Sequence, residues 1–295
     1  MIAKSARKLL PGILFLIVAL SANCGASRDI VYPKEYIPRS KPIALPKDVQ
    51  KLWDNRHEKA DLAQALKAME ALQKENPGDY DLMLKLCTGH YLMADGHLYL
   101  ESNEQNEKTI KKQQEEHFDS AVKWCERAMA TNEAFYKAVT SGTPFVSALP
   151  TLTKNEIEAL YWKYAALAKW SRLKGLMTLL ENKSTFTAIN ERVEALDKNF
   201  FHSAVLRYKA AANLASPTGN KAEGRKQFEE AIKKNPNYFG AKVLYVDLGL
   251  RADEEKAEKL LKEVIDGNPN SIPEIRSEQI IEQRKAKKLL DEILS

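Results

Sequence analysis

Between Gly224 and Pro269 one helical phrase is stated twice. Gly224, Phe228, Ala231 and Pro236 set a frame of small, large, small and proline, and Ala257, Leu261, Val264 and Pro269 repeat it 33 residues later. The first three places of each copy fall on one helix face. The proline ends the helix, because the residue before it is pushed out of the α region. A fixed period of this size limits the fold more than any other feature. Each unit leaves an apolar face that only its neighbour can cover, and stacked helix pairs provide that cover.

Three earlier segments carry the frame in looser form. Ala65, Met69 and Leu72 lead to Pro77, and Ala121, Cys125 and Ala128 lead to Glu133 in the proline place. Ile189, Val193, Ala195 and Leu196 form the third. Copies therefore lie near Leu72, Ala128, Leu196, Ala231 and Val264, and their spacing resembles tetratricopeptide repeats with insertions. With twelve Gly and twelve Pro among 295 residues, the chain is too lean in turn formers for an all-β fold, and 44% hydrophobic residues supply a core. The expected fold is all-α, a TPR-like α-solenoid of stacked antiparallel helix pairs with insertions. A C-terminal helix, Ile272 to Leu294, is expected to cap it with an outer face rich in Arg and Lys.

The insertions differ in kind. Tyr80 to Tyr99 predicts a long apolar-faced helix, whereas Leu100 to His117 has almost nothing to bury and predicts a solvated helical extension. Lys137 to Asn155 breaks the period with Ser141-Gly142-Thr143-Pro144 and Leu149-Pro150 as turn signals. Long loops inside compact arrays often carry function.

At the N-terminus, Lys4, Arg7 and Lys8 precede an uncharged apolar run from Ile13 to Leu20, the pattern of an export signal too short to span a membrane. Leu20-Ser21-Ala22-Asn23-Cys24-Gly25 then resembles a bacterial lipobox, with Ser21 and Asn23 departing from its usual residues. The resemblance implies that Cys24 is diacylated and starts the mature chain on the periplasmic side of the envelope. Each buried CH₂ contributes about 0.8 kcal/mol, so two or three acyl chains hold firmly. Residues 1–23 are thus expected to be the signal peptide and 24–46 a tether. Pro33, Pro38, Pro42 and Pro46 make the tether an extended spacer before the repeat domain of 47–295.

No constellation points to catalysis, a cofactor or a metal. The five His form no HExxH or Cys/His cluster, Cys87 and Cys125 lack CxxC spacing, and there is no Walker loop or GxSxG. Cys87 and Cys125 fall on neighbouring helices and an oxidising compartment permits a bond. Cys125, however, takes the large core place, where a free thiol behaves as a small hydrophobe, and this favours unpaired thiols. The net charge of +5 owes three charges to the leader, and no basic stripe with exposed aromatics is present, so nucleic acid is not an expected partner.

Glu156 to Leu173 is the richest aromatic segment. Trp162, Tyr164 and Trp170 do not share one helix stripe, so they cannot all face the same neighbour. Tyr161, Trp162 and Trp170, with Phe145 of the irregular loop, are the candidate surface for a partner or ligand. Core packing, a partner's anchor and an apolar ligand all remain open readings of it.

Several phrases together resemble one family. They are Ala159-Leu160-Tyr161-Trp162 with Ala165-Ala166, Glu194-Ala195-Leu196-Asp197, and Gln227-Phe228-Glu229-Glu230-Ala231. Gly240-Ala241-Lys242-Val243-Leu244-Tyr245, Leu260-Leu261-Lys262-Glu263-Val264 and Gln283-Arg284-Lys285-Ala286 with Leu289-Leu290 complete the set. The chain is similar there to the T component of tetratricopeptide-associated TRAP transporters, and departs from it where Gly219-Asn220 replaces a paired glycine. The resemblance implies an exported, lipid-anchored, all-helical protein that partners the periplasmic solute-binding protein of a TRAP importer. Its implied role is scaffolding or docking of that binding protein. Alternatives are a carrier that hands it a hydrophobic ligand, such as an organic acid, and an envelope-assembly scaffold unrelated to transport.

Overall fold

The computed structural model describes residues 26, 28, 30 and 32–295, and among them every regular element is helical. Chain order gives α1 (Lys47–Asp54), α2 (Lys59–Glu75) and α3 (Tyr80–Leu92), which continues through a π-helical segment (Met93–Leu98) into the short α4 (Tyr99–Glu101). Next come α5 (Glu107–Met129), α6 (Glu133–Thr140), α7 (Phe145–Ala148), α8 (Ile157–Lys174), α9 (Leu176–Glu181), α10 (Lys183–Leu196) and α11 (Phe200–Ala215). The regular end has α12 (Lys221–Lys234), α13 (Phe239–Tyr245) with a second π-helical segment (Val246–Leu250), α14 (Glu254–Ile265) and α15 (Arg276–Leu294).

The five frames lie on α2, α5, α10, α12 and α14, as their spacing predicts. Their inward places are closed to solvent: Ala65, Met69, Ala121, Cys125, Ala128, Phe228, Ala231, Ala257, Leu261 and Val264 are fully buried. Each frame helix packs on neighbours along the array, α5 on α3 and α8 among them, so the apolar faces cover one another in series. Asp79, Asn132, Asn220 and Asp253 start α3, α6, α12 and α14 by accepting a backbone N–H from the first turn. Each such cap satisfies a donor the helix start leaves open, typically contributing about 1 kcal/mol.

α15 caps the last repeat through Ala286 and Leu289, but its other side, expected to face solvent, returns the array to its beginning. Arg56 Nη2 lies 2.7 Å from Glu278 Oε2, Ser277 Oγ donates to Asp54 O at 2.9 Å, and Lys288 Nζ donates to Tyr99 O at 2.8 Å. Ile281 fits against Gly96, where a Cβ would stand 2.7 Å from Ile281 Cγ2, so only glycine admits this approach. Arg284, Lys285 and Lys288 of α15, which reach Glu58, Asp95 and Tyr99, are therefore clasps between the first and last repeats.

Three further expectations are corrected. Cys87 and Cys125 form a disulfide, with Cα atoms 5.6 Å apart. The small residues of the frame bring α3 and α5 close enough for the two buried sulfurs to meet, and the sealed loop adds about 2–4 kcal/mol of stability. The proline-rich arm is extended but lies on the helices rather than standing free of them. Tyr136 OH donates to Pro33 O at 3.1 Å, Ser40 N to Gly78 O at 2.8 Å, and Ile43 N to Asp79 Oδ2 at 2.7 Å. Finally, the charged start of α5 is not only a wet extension. Ile110 is buried, and Gln114 Nε2 donates to Ala94 O at 2.9 Å. Cys24, the expected lipid site, lies outside the described residues, and among those described no helix is long and apolar enough to cross a membrane.

Candidate functional site

Closing the array shapes a partly open cavity of about 230 Å³ whose walls come mainly from α3, α8, α11, α13, α15 and both π-helical segments. α8 contributes Tyr161, Trp162 and Tyr164, and α11 contributes Arg207 and Tyr208. The tyrosines are packed as a set. Tyr208 stacks on Tyr164 at 3.8 Å and on Tyr161 at 5.4 Å between centroids, and its hydroxyl donates to Tyr161 O at 3.2 Å. Burial pushes the hydroxyls of Tyr91, Tyr208 and Tyr238 well above the usual phenol range, so they act as neutral hydrogen-bonding groups.

Arg207 is the unusual residue of this wall, being only 3% exposed. Its Nη2 donates to Phe201 O at 2.8 Å, its Nε to His202 O at 3.1 Å, and its guanidinium sits 4.5 Å over the Tyr238 ring. Burial disfavours the charge, but the surrounding tyrosines Tyr238, Tyr161 and Tyr208 outweigh it and hold Arg207 firmly protonated. Its hydrogen bonds thus go to carbonyls and phenols rather than to a carboxylate, which leaves its charge available to an anion entering the cavity.

The carbonyls that Arg207 holds belong to a left-handed turn. Phe201, His202 and Ser203 have φ of 36°, 55° and 61°, a region costing L-residues roughly 1–2 kcal/mol each. His202 stacks on Tyr238 at 4.7 Å, and Asn235 Nδ2 donates to Ser203 Oγ at 2.8 Å, so the turn is braced from both sides. Strain of this kind gathers where the surroundings hold a site in shape.

The cavity is also lined by paired charges. Lys169 Nζ is 2.6 Å from Asp95 Oδ1 and Lys285 Nζ is 2.7 Å from Asp95 Oδ2. Burial would raise Asp95, but the two ammonium groups outweigh it and keep the carboxyl well below its usual range. Asp247, likewise raised by burial but lowered more by Arg172 and Lys169, is held at about 2. Asp95 and Asp247 each sit on a π-helical segment, where one extra residue per turn widens the helix and turns a side chain out of register. A second cavity of about 280 Å³ between α9, α10 and α11 shares Tyr164, Phe186 and Tyr208 with the first.

Of the four residues predicted for the site, Tyr161 and Trp162 line the central cavity. Phe145 and Trp170 do not. Phe145 packs edge-on to Phe135 at 6.1 Å with Lys163 Nζ 4.6 Å from its ring. Trp170 joins the disulfide cysteines and Phe118 in a separate core cluster, with Arg28 at 5.9 Å over its ring. Sequence reasoning missed Arg207, Tyr208, Tyr238 and Asp95. A signal existed for two of them: Arg207 interrupts the apolar face of α11 among Ala204, Tyr208 and Ala211, and Asp95 stands in the apolar stretch after α3. His90 and His97 stay apart. His90 Nδ1 meets His117 Nδ1 at 2.9 Å, while His97 Nε2 meets Arg56 O at 3.0 Å, and among the described residues no cluster could hold a metal ion.

A model of the TRAP transporter T-component family matches residues 56–294, a span that includes every wall residue of the cavity. No curated protein matches the chain.

Proposed function

The chain belongs to the TRAP transporter T-component family, and on that premise we propose that it is a periplasmic, lipid-anchored carrier. It would hold an apolar ligand with one anionic group in the central cavity and hand it to the importer's solute-binding protein, which docks on the helical array. Arg207 is the observation that carries this reading: a buried cation with no carboxylate partner among the described residues, set on an aromatic wall, suits a carboxylate on an apolar body. The apolar rings would exclude water and the phenols would add orientation. Pure scaffolding needs no such cavity, and family membership speaks against envelope assembly unconnected with transport.

Native mass spectrometry of protein purified from its own cells tests the carrier role. A retained small acid, lost in Trp162→Ala, is the expected result; empty wild-type protein in every preparation would sink it. Crosslinking in cells tests docking separately, and failure to capture any solute-binding protein removes that part. Change of Cys24 to Ser should release the protein from membranes, and a mutant that stays there refutes the lipid anchor.

A further inference from the structure

The arm before α1 ends against α9. Ala26 N donates to Thr178 Oγ1 at 2.9 Å, and Arg28 Nε donates to Asp119 Oδ1 at 2.6 Å, with its Nη1 3.3 Å from Glu126 Oε1. Glu126 is wholly buried, so this arginine is held in the body of the protein rather than on a loose leader. On α9 itself Thr178 is buried while Leu176, Met177 and Leu180 expose 49%, 49% and 42% of their surface. Six large apolar side chains are exposed among the described residues, and three of them gather on this one six-residue helix. Scattered exposed apolar residues need no explanation, but a cluster does.

The length of chain beyond Ala26 says what covers it. Cys24 is two residues away, and two residues span at most about 7 Å. Acyl chains on Cys24 would therefore enter a bilayer whose surface lies at the edge of α9. A helix face at that distance reaches the headgroup and acyl boundary, where amphipathic helices bury their apolar side about 5–10 Å deep. At its rim Lys174 is tied to Glu115 at 2.5 Å and Lys183 stands exposed near Glu181, so the charges balance and the seat is an apolar one.

We propose that α9 seats the protein on the membrane, with Leu176, Met177 and Leu180 entering the interfacial region of the leaflet that holds Cys24. This rests on Cys24 being lipidated. The proline-rich arm then fixes the body close to the bilayer instead of lifting it away.

The test uses full-length protein purified from membranes with its disulfide closed, and reconstituted in vesicles of phosphatidylethanolamine and phosphatidylglycerol. An environment-sensitive fluorophore is placed at Met177→Cys, at Leu180→Cys, or at Lys259→Cys on α14, which packs on α13 and α15. With lipids brominated near the headgroup, the labels at 177 and 180 are expected to shift to the blue and lose most of their emission, while the label at 259 keeps its own. Quenching at 177 and 180 no stronger than at 259, in protein that still sediments with vesicles, overturns the seat and leaves lipidation standing. Wild-type protein that neither sediments nor carries acyl mass overturns both.

Discussion

The regular end of the chain, α12 to α14, and the middle, α5 to α11, use burial in opposite ways. In the regular end the frame places are apolar: Phe228 stacks on Tyr245 at 5.1 Å, Leu261 and Val264 close the space beside them, and the buried Lys242 reaches out to the exposed Glu263 at 2.9 Å. In the middle, charges are buried. Lys163 is paired with Glu126 at 2% and 0% side-chain exposure, Arg28 completes a trio, and Arg207 lines a cavity. Apolar faces stack without directional demands, so a repeat can be copied. Buried charges need particular partners and gain little net stability over apolar substitutes. The middle accordingly departs from the repeat, and it supplies the aromatic wall of the cavity, α8 and α11.

Two truncations set the comparison most sharply. Glu126→Ala leaves the buried Lys163 without its carboxylate and Arg28 with Asp119 alone, and is expected to cost about 3–5 kcal/mol in denaturant unfolding. Phe228→Ala is expected to cost a similar ~3–5 kcal/mol through its cavity. The remedies should differ. Adding Lys163→Met to a Glu126→Leu chain should restore much of the loss, while no partner change rescues Phe228→Ala. A Glu126→Ala loss below about 1 kcal/mol would mean that the trio is not buried as a unit.

The disulfide ties α3 to the middle at α5 and has no counterpart in the regular end. Replacing Cys87 and Cys125 together by Ala should lower stability by about 2–4 kcal/mol. A thiol assay on denatured, non-reduced wild type should find neither cysteine free, and a positive assay removes the staple. Where α15 closes the array on its first repeat, Gly96→Ala presses on Ile281 and should cost about 1–3 kcal/mol, with faster proteolysis between α14 and α15. Unchanged proteolysis would show that the closure tolerates the methyl group.

Acid should separate the regions by the smallest margin. His117 is lowered from 6.5 to about 4, by burial first and by His90 second. The unfolded chain therefore takes up the proton first, so stability is full above about pH 6.5 and declines as pH falls towards 4. Allowing for partial exposure, the loss is about 1–2 kcal/mol. His117→Gln should flatten that slope; an equal slope in the variant would assign it to other groups. No histidine lies in α12 to α15, so the regular end should not share it.

Much of the fold was legible because small and large residues at helical spacing carry their own explanation. The frames, the polar residues that start helices and the irregular loop all follow from local pattern. Tyr161 and Trp162 were legible as candidates because crowded aromatics cannot all face one neighbour. Phe145 and Trp170 met the same criterion, yet each found a partner in its own cluster, and nothing local separates the two outcomes. Arg207 looks like a surface residue until Phe201, His202 and Tyr238 are placed around it. The pairing of Cys87 with Cys125 depended on how closely α3 and α5 approach, which their residue types permit but do not state.

By itself the sequence determined an all-helical array of paired helices, the places where its period fails, and a resemblance to one transporter-associated family, because periodicity and turn chemistry act over a few residues. Only the tertiary structure decided that α15 joins the last repeat to the first, that the arm lies against the body, and which aromatics share a cavity with Arg207. Those depend on contacts between residues up to 227 positions apart, as between His57 and Arg284. Many alternative long-range pairings satisfy the same local pattern, and simultaneous packing of the whole chain selects one of them.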